Sequence, residues 1–192
     1  MPTRVTAAAV LPSLARSSTS EVREHLDRLE AEVVVLFEQF RDPLLRYLSS
    51  FGLPVPDREE IIQEVFLFLF QHLRHGKSRE NLPGWIFRVA HNLALKRRCR
   101  NRREFAGRSE PVPERVAIDP APNPEEHLVH SRTRHLIEAV VESLPEQDRR
   151  CLFLRAEGLR YRQIGEVLDI SLGAVSISIA RSLARITRAM TR

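Results

Sequence analysis

The chain has 192 residues, a net charge of +5 and a pI of about 10.0, which suits one ordinary domain or two small ones and an anionic partner, nucleic acid ahead of membrane. Its two cysteines, Cys99 and Cys151, lack the paired spacing of a zinc site or a disulfide framework. No apolar stretch approaches the ~20 residues of a membrane-spanning helix, and no glycine-rich phosphate loop is present.

Taken in chain order, residues 1–20 contain Arg4, Arg16, several Ala and Ser and no acid. They resemble a transit peptide in composition, lack the apolar core of a secretory signal, and are expected to be a flexible leader. A first helical domain is expected over 21–104. Its first helix should run from about Glu21 to Ser50, with Pro43 kinking or interrupting it and Gly52-Leu53-Pro54 ending it. A second runs from about Asp57, as N-cap, to His75, with Ile61, Ile62, Val65, Phe66, Leu69, Phe70 and Leu73 as its core face and Gly76 as its stop. A third starts near Asn81, with Pro83 in its first turn, and reaches about Arg103.

Residues 105–126 hold five prolines between Pro111 and Pro124. Proline removes a backbone donor and blocks helix, so this segment reads as an extended linker. A second helical domain fills 127–192, with helices over about Glu125–Ser143 and Pro145–Gly158 and then two short ones about Asp169-Ile170-Ser171. Strand periodicity is absent throughout. The expected fold is all-α: two small helical domains joined by a proline-rich linker.

The run from Tyr161 to Ile179 reads as a helix-turn-helix. Ile164, Val167 and Leu168 supply a buried face, and Gly165 gives room for a close crossing. Asp169 tolerates a left-handed turn, Ile170 plugs the core and Ser171 caps the second helix. In that helix Leu172, Val175, Ile179, Leu183, Ile186 and Met190 form an apolar stripe, and Arg181, Arg185, Arg188 and Arg192 lie opposite. No acid occurs from Ser171 to Arg192, so this face can neutralise phosphates, with its N-terminal turn entering the major groove. Gly173, Ala174, Ser176, Ile177 and Ser178 stand where base edges are met. None is a bidentate reader, so readout by shape or by methyl contact is expected.

A second acid-free stretch, Phe87–Arg103, carries Arg88, Lys96, Arg97, Arg98, Arg100, Arg102 and Arg103. Trp85, Ile86, Val89 and Leu93 are expected to pack, while the basic remainder meets phosphate and Asn92 reaches a base; the alternative is a nonspecific RNA-binding or solubilising tail. In the helix before it, Glu59, Glu60, Gln63 and Glu64 precede Val65-Phe66-Leu67-Phe68-Leu69-Phe70. One face cannot hide all of these, and Leu67 and Phe68 fall outside the main stripe. They fit either a protein interface or a helix buried on most sides. Cys151 lies in an apolar run and is expected to be core; Cys99 sits among arginines. His72 and His75 lack acidic or cysteine companions and read as a surface pair rather than a metal site.

These residues resemble the extracytoplasmic-function (ECF) sigma factors, small two-domain subunits of bacterial RNA polymerase. Asp57 to Leu67 is similar to their polymerase-binding segment, Leu82 to Ala94 to the segment for the minus-ten promoter element, and Leu144–Arg150 with Glu157–Leu168 to the domain for the minus-thirty-five element. The resemblance covers about 32–104 and 128–187.

It implies that Glu59, Glu60, Gln63, Glu64 and Leu67 dock on core RNA polymerase. It implies that Arg88, Asn92, Lys96, Arg97 and Arg100 engage the melted minus-ten strand. Ser171, Gly173, Ala174, Ser176, Ile177, Ser178, Arg181 and Arg185 would then face the minus-thirty-five duplex. The chain departs from the family in its serines at 176 and 178, usually basic, and in Leu95, where an acid is common. The middle domain of housekeeping sigma factors is missing and their aromatic melting segment is thin, Trp85 and Phe87 being its nearest candidates. The expected protein is a cytoplasmic, non-enzymatic sigma factor without cofactor, metal or small-molecule substrate. Its expected partners are core RNA polymerase, promoter DNA and an anti-sigma factor. The alternative is a stand-alone helix-turn-helix regulator that binds operator DNA without polymerase.

Overall fold

The computed structural model describes the backbone of residues 11–104 and 134–191, and side chains from Glu21 onward with Val22 excepted. The expected linker, 105–126, lies outside the described residues. Helix α1 spans Leu11–Ser49, starting earlier than the expected Glu21. It runs through Pro43 without ending, because the residues after the proline are anchored: Leu44, Tyr47 and Leu48 are fully buried.

Helix α2, Val55–Arg74, begins behind Pro54, so Asp57 is not its N-cap but a first-turn residue. Proline occupies this start without penalty, since the first N–H groups of a helix have no partner there. The buried Arg58 donates through Nε to the Leu53 carbonyl at 2.8 Å and ties the preceding turn to the helix. The expected core face is present: Ile61, Ile62, Val65, Phe66, Leu69 and Leu73 are buried and Phe70 packs against them. The helix stops before Gly76, whose φ of +64° is readily adopted only without a Cβ.

Helix α3, Leu82–Glu104, is capped by Asn81, whose Oδ1 accepts from the Gly84 N–H at 3.2 Å. Ile86, Phe87, Ala90 and Ala94 are its buried stripe. Phe87 meets Tyr47 edge-on at 5.5 Å and is core. Trp85, Val89 and Leu93 are only partly covered, and Trp85 packs on the His72 ring at 4.7 Å. Helices α1, α2 and α3 thus form one three-helix module, and each buried large side chain contributes about 1.5–3 kcal/mol of transfer free energy.

The second module contains α4 (helical at 134–142), α5 (Glu146–Ala156), α6 (Tyr161–Leu168) and α7 (Leu172–Met190). Between α6 and α7, Asp169 adopts the left-handed conformation and Ser171 caps α7 by accepting from the Ala174 N–H at 3.2 Å. Gly165 is required chiefly by the turn itself. A Cβ there would lie 2.9 Å from the Ile170 carbonyl oxygen, whereas Val175 is 3.8 Å away.

The buried seam of α7 differs from the apolar stripe. It is Val175, Ser178, Ile179 and Ser182, while Leu172, Leu183 and Met190 are exposed. The reason is close packing against α5. The small serines satisfy themselves there: Ser182 Oγ donates to the Ser178 carbonyl at 2.8 Å, and Ser178 Oγ accepts from Gln147 at 3.3 Å. Among the described residues no single helix is long and apolar enough to cross a membrane. Only the α6–α7 pair, bent by 105°, passes such a test by length and composition.

Candidate nucleic-acid interface

Four of the expected minus-ten residues stand four apart on α3: Arg88, Asn92, Lys96 and Arg100. At 3.6 residues per turn they share one face, and all four are exposed. Arg97 does not join them. It is 9% exposed and donates to Asp57 and to Glu60, each at 2.8 Å, while Asn101 holds the other Asp57 oxygen at 2.7 Å. Arg97 therefore fastens α3 to α2 from inside. The bond from Arg97 also holds the Glu60 carboxyl below its usual range. The signal was present in the sequence, since Asp57 lies in the first turn of the preceding helix, but composition alone does not separate an internal arginine from a row of solvated ones.

Beneath this face lies a buried polar pair. Tyr47 Oη and His91 Nδ1 are 2.7 Å apart. Burial, with Arg150 and Arg98 nearby, pushes His91 down to about 4, so its neutral ring accepts the Tyr47 proton. Burial likewise raises the Tyr47 phenol.

On α2, Glu59, Glu60, Gln63 and Leu67 are exposed and Glu64 is half-buried. Leu67 is 56% exposed, and Phe68 beside it is also exposed. The expected outward acidic-apolar strip therefore exists. Glu59 makes a long 3.5 Å contact with Arg41, and Glu60 is engaged by Arg97 as described. Val34 and Val35 on α1 are exposed as well. Sequence reasoning passed over them, although three successive valines, Val33 to Val35, exceed what one helical face can bury.

On the second module, Gly173, Ser176 and Ile177 face outward, and Ala174 is partly covered. Ser171 is exposed but its hydroxyl is committed to the cap. Ser178, 3% exposed, is turned into the seam and is not on the outward face. Arg181 is divided: half-exposed, it reaches back to the buried Asp148 at 3.2 Å. Arg185 and Arg188 are exposed and have no ion-pair partner among the described residues.

The two modules touch. Helix α6 packs on α3 and α5 on α1. Arg46 grips Glu157 through two bonds of 2.8 and 2.7 Å, and Arg98 pairs with Glu146, which Arg150 also contacts at 3.0 Å. Arg98 holds the Glu146 carboxyl below its usual range. The Arg150 guanidinium lies 4.6 Å over the Phe51 ring, Arg149 donates to the Ser50 carbonyl at 3.2 Å, and Asn81 bonds Gln163 and Glu166 of α6. Among the described residues no cluster of His, Cys, Asp or Glu fits a metal ion.

A tight three-helix module with an acid-free basic row, coupled to a helix-turn-helix module with a second one, defines a two-part helical DNA-binding protein. Residues 36–104 match the family described as Sigma-70 region 2, and residues 134–186 match Sigma-70, region 4.

The chain is 34% identical over 149 residues to the ECF RNA polymerase sigma factor SigE of Mycolicibacterium smegmatis, covering 76% of this chain and 56% of that protein. It is 28% identical over 142 residues to the ECF RNA polymerase sigma-E factor of Escherichia coli, covering 70% and 74% respectively. Among solved structures, the sigma factor RpoE in complex with the anti-sigma factor NepR from Bartonella quintana shares the fold with a TM-score of 0.64. The identity is 17%, over 84% of this chain and 96% of that one. CnrH in complex with the cytosolic domain of CnrY gives a TM-score of 0.55 at 19% identity, over 84% and 89%. The chain belongs to the Sigma-70 family, whose regions 2 and 4 it carries in that order, and it is similar to the ECF sigma factors named above, the first of which it spans over little more than half its length.

Proposed function

We propose that the chain works as a two-handed adaptor between core RNA polymerase and a promoter, by binding alone and without chemistry of its own. The first domain, 21–104, docks on core enzyme through the outward strip of α2: Glu59, Glu60, Gln63, Glu64 and Leu67, with Phe68 alongside. Carboxylates around exposed large apolar side chains fit a protein interface whose apolar centre carries affinity and whose charged rim sets orientation. The row Arg88, Asn92, Lys96 and Arg100 engages the minus-ten element, the cations on phosphate and the Asn92 amide on a base edge. The second domain, 127–192, lays α7 along the minus-thirty-five duplex, with Arg185 and Arg188 on the backbone.

The single observation that carries this reading is the geometry of charge. Two exposed acid-free faces sit on two separate modules, and the acidic strip lies on a different helix from either. A linker over 105–126 lets both faces reach separated stretches of one duplex. The cytoplasm is the compartment such a partner set requires. An anti-sigma factor is a fitting regulator, since the solved relatives RpoE and CnrH are each bound to another protein, NepR and CnrY, and NepR is named an anti-sigma factor.

The test is reconstitution of the full chain with core polymerase, followed by run-off transcription on genomic fragments. Discrete transcripts that vanish on omitting the chain support the reading. Reversing the charge of Glu59 and placing a cation at Gln63 (E59K/Q63K) should weaken association with core by roughly tenfold or more. A chain that shifts DNA equally well with and without core enzyme, and gives no transcripts, would instead be a stand-alone regulator.

A further inference from the structure

The outward arc of α7 is unusual for a helix that reads DNA. The buried seam of Val175, Ser178, Ile179 and Ser182 fixes the opposite side. At about 100° per residue the side facing away carries Gly173, Ile177, Ala180 and Ala184, all exposed. No side chain on this arc can hydrogen-bond a base. Ile177 is the one large group on it, 59% exposed. Leu172 and Leu183 are equally bare, but they fall on the flank of the helix and not on this arc.

The small neighbours make the position sterically open. A Cβ built on Gly173 would meet nothing nearer than Ser171 Oγ at 4.0 Å, so the helix backbone can sit deep in a groove with Ile177 at its leading edge. The surroundings select the occupant. No acid occurs from Ser171 to Arg192, and Arg185 and Arg188 stand exposed further along the helix. Such a field favours a phosphate backbone along the flank that carries the arginines and disfavours an apolar protein surface with nothing to neutralise them. Of the groups that bases present in the major groove, the thymine 5-methyl is the apolar one.

We propose that Ile177 is a specificity-determining residue that recognises the 5-methyl group of thymine in the upstream promoter element. This deepens the assignment of α7 to that duplex and rests on it. The readout is steric and hydrophobic: burying a methyl against the isoleucine excludes water from both, and cytosine or uracil, with hydrogen at that carbon, forgoes the gain.

The experiment uses holoenzyme reconstituted from the full chain and core polymerase, on a promoter recovered by run-off transcription. The upstream element is resynthesised with uracil in place of thymine on both strands, which removes only the methyl groups. The concentration of holoenzyme giving half-maximal binding should rise roughly three- to tenfold, about what one or two buried methyl groups supply. Ile177→Ala should bind the thymine template as weakly as the native chain binds the uracil one, and should barely distinguish the two. Arg188→Ala, run in parallel, should weaken both templates equally and flatten the salt dependence. The proposal is overturned if the native chain binds both templates alike, or if Ile177→Ala keeps the native discrimination. An Arg188→Ala effect alongside either result leaves α7 on the duplex. Its absence alongside either result removes α7 from the duplex as well.

Discussion

Residue by residue, the buried polar groups of this chain set its response to solution conditions. His91 titrates at about 4 in the folded chain against 6.5 unfolded, because burial opposes its charge and Arg150 and Arg98 add to that. Between those values the unfolded chain binds more protons, so stability is complete above about pH 6.5 and is lost as the pH falls toward 4. By pH 5 the loss from this residue reaches at most about 2 kcal/mol, less whatever solvent still reaches the ring. His91→Gln should therefore melt with a flatter pH dependence between pH 7 and 5. Equal slopes would show that the ring does not titrate as described. Asp148 is a different case, a buried carboxylate whose bond to Arg181 ties α5 to α7. Arg181→Ala leaves that carboxylate without its cation and should lower stability by about 1–3 kcal/mol in a denaturant titration, where Arg185→Ala changes it by less than about 0.5. Arg185 is then the cleaner probe of phosphate contact, since its loss of binding is not mixed with loss of fold.

At the scale of elements, α7 shows what a pattern can and cannot say. Its helix, cap and left-handed turn were legible from Asp169, Ser171 and Gly165, because backbone geometry restricts those positions to a few residue types. Its rotation was not. Two stripes fit the helical repeat, an apolar one through Leu183 and a mixed one through Ser178 and Ser182. Hydrophobicity favours the first, yet packing against α5 selects the second, because serine is small and can bond its own helix. Ser182→Leu should consequently destabilise the second module by about 2 kcal/mol or more through overpacking, while Leu183→Ser should change stability by less than about 0.5. The reverse order in thermal melts would restore the apolar stripe as the core. Helix α3 repeats the lesson at Arg97: a basic run reads as one surface until the acids of a neighbouring helix claim a member.

For the molecule as a whole, the two modules and their family were legible because each carries its own apolar periodicity and turn signals. Their contact with one another was not, since it depends on single charges far apart in sequence. Arg46 with Glu157 and Arg98 with Glu146 join residues that no local pattern connects. The Glu157 carboxylate side chain is only 8% exposed, so its pairing escapes much of the screening that weakens surface bridges. Glu157→Arg should separate the modules, seen as a larger radius of gyration in small-angle scattering at low salt. Adding Arg46→Glu to that variant should bring them back together. If the single reversal leaves the scattering unchanged, the pair does not hold the modules. Separation also bears on the proposed function, since α6 packs on α3, the helix proposed to meet the minus-ten element, and opening that contact would widen the approach to it.

The two thiols give the molecule an internal stopwatch. Cys99 stands in the open on α3, whereas Cys151 is wholly enclosed between α5 and α7 and pushed up to about 11 by burial. An alkylating reagent would modify the former at once and reach the latter only when the helix-turn-helix core breathes. The lag between the two modifications, followed by intact mass, would time the opening of one module without labels or mutations.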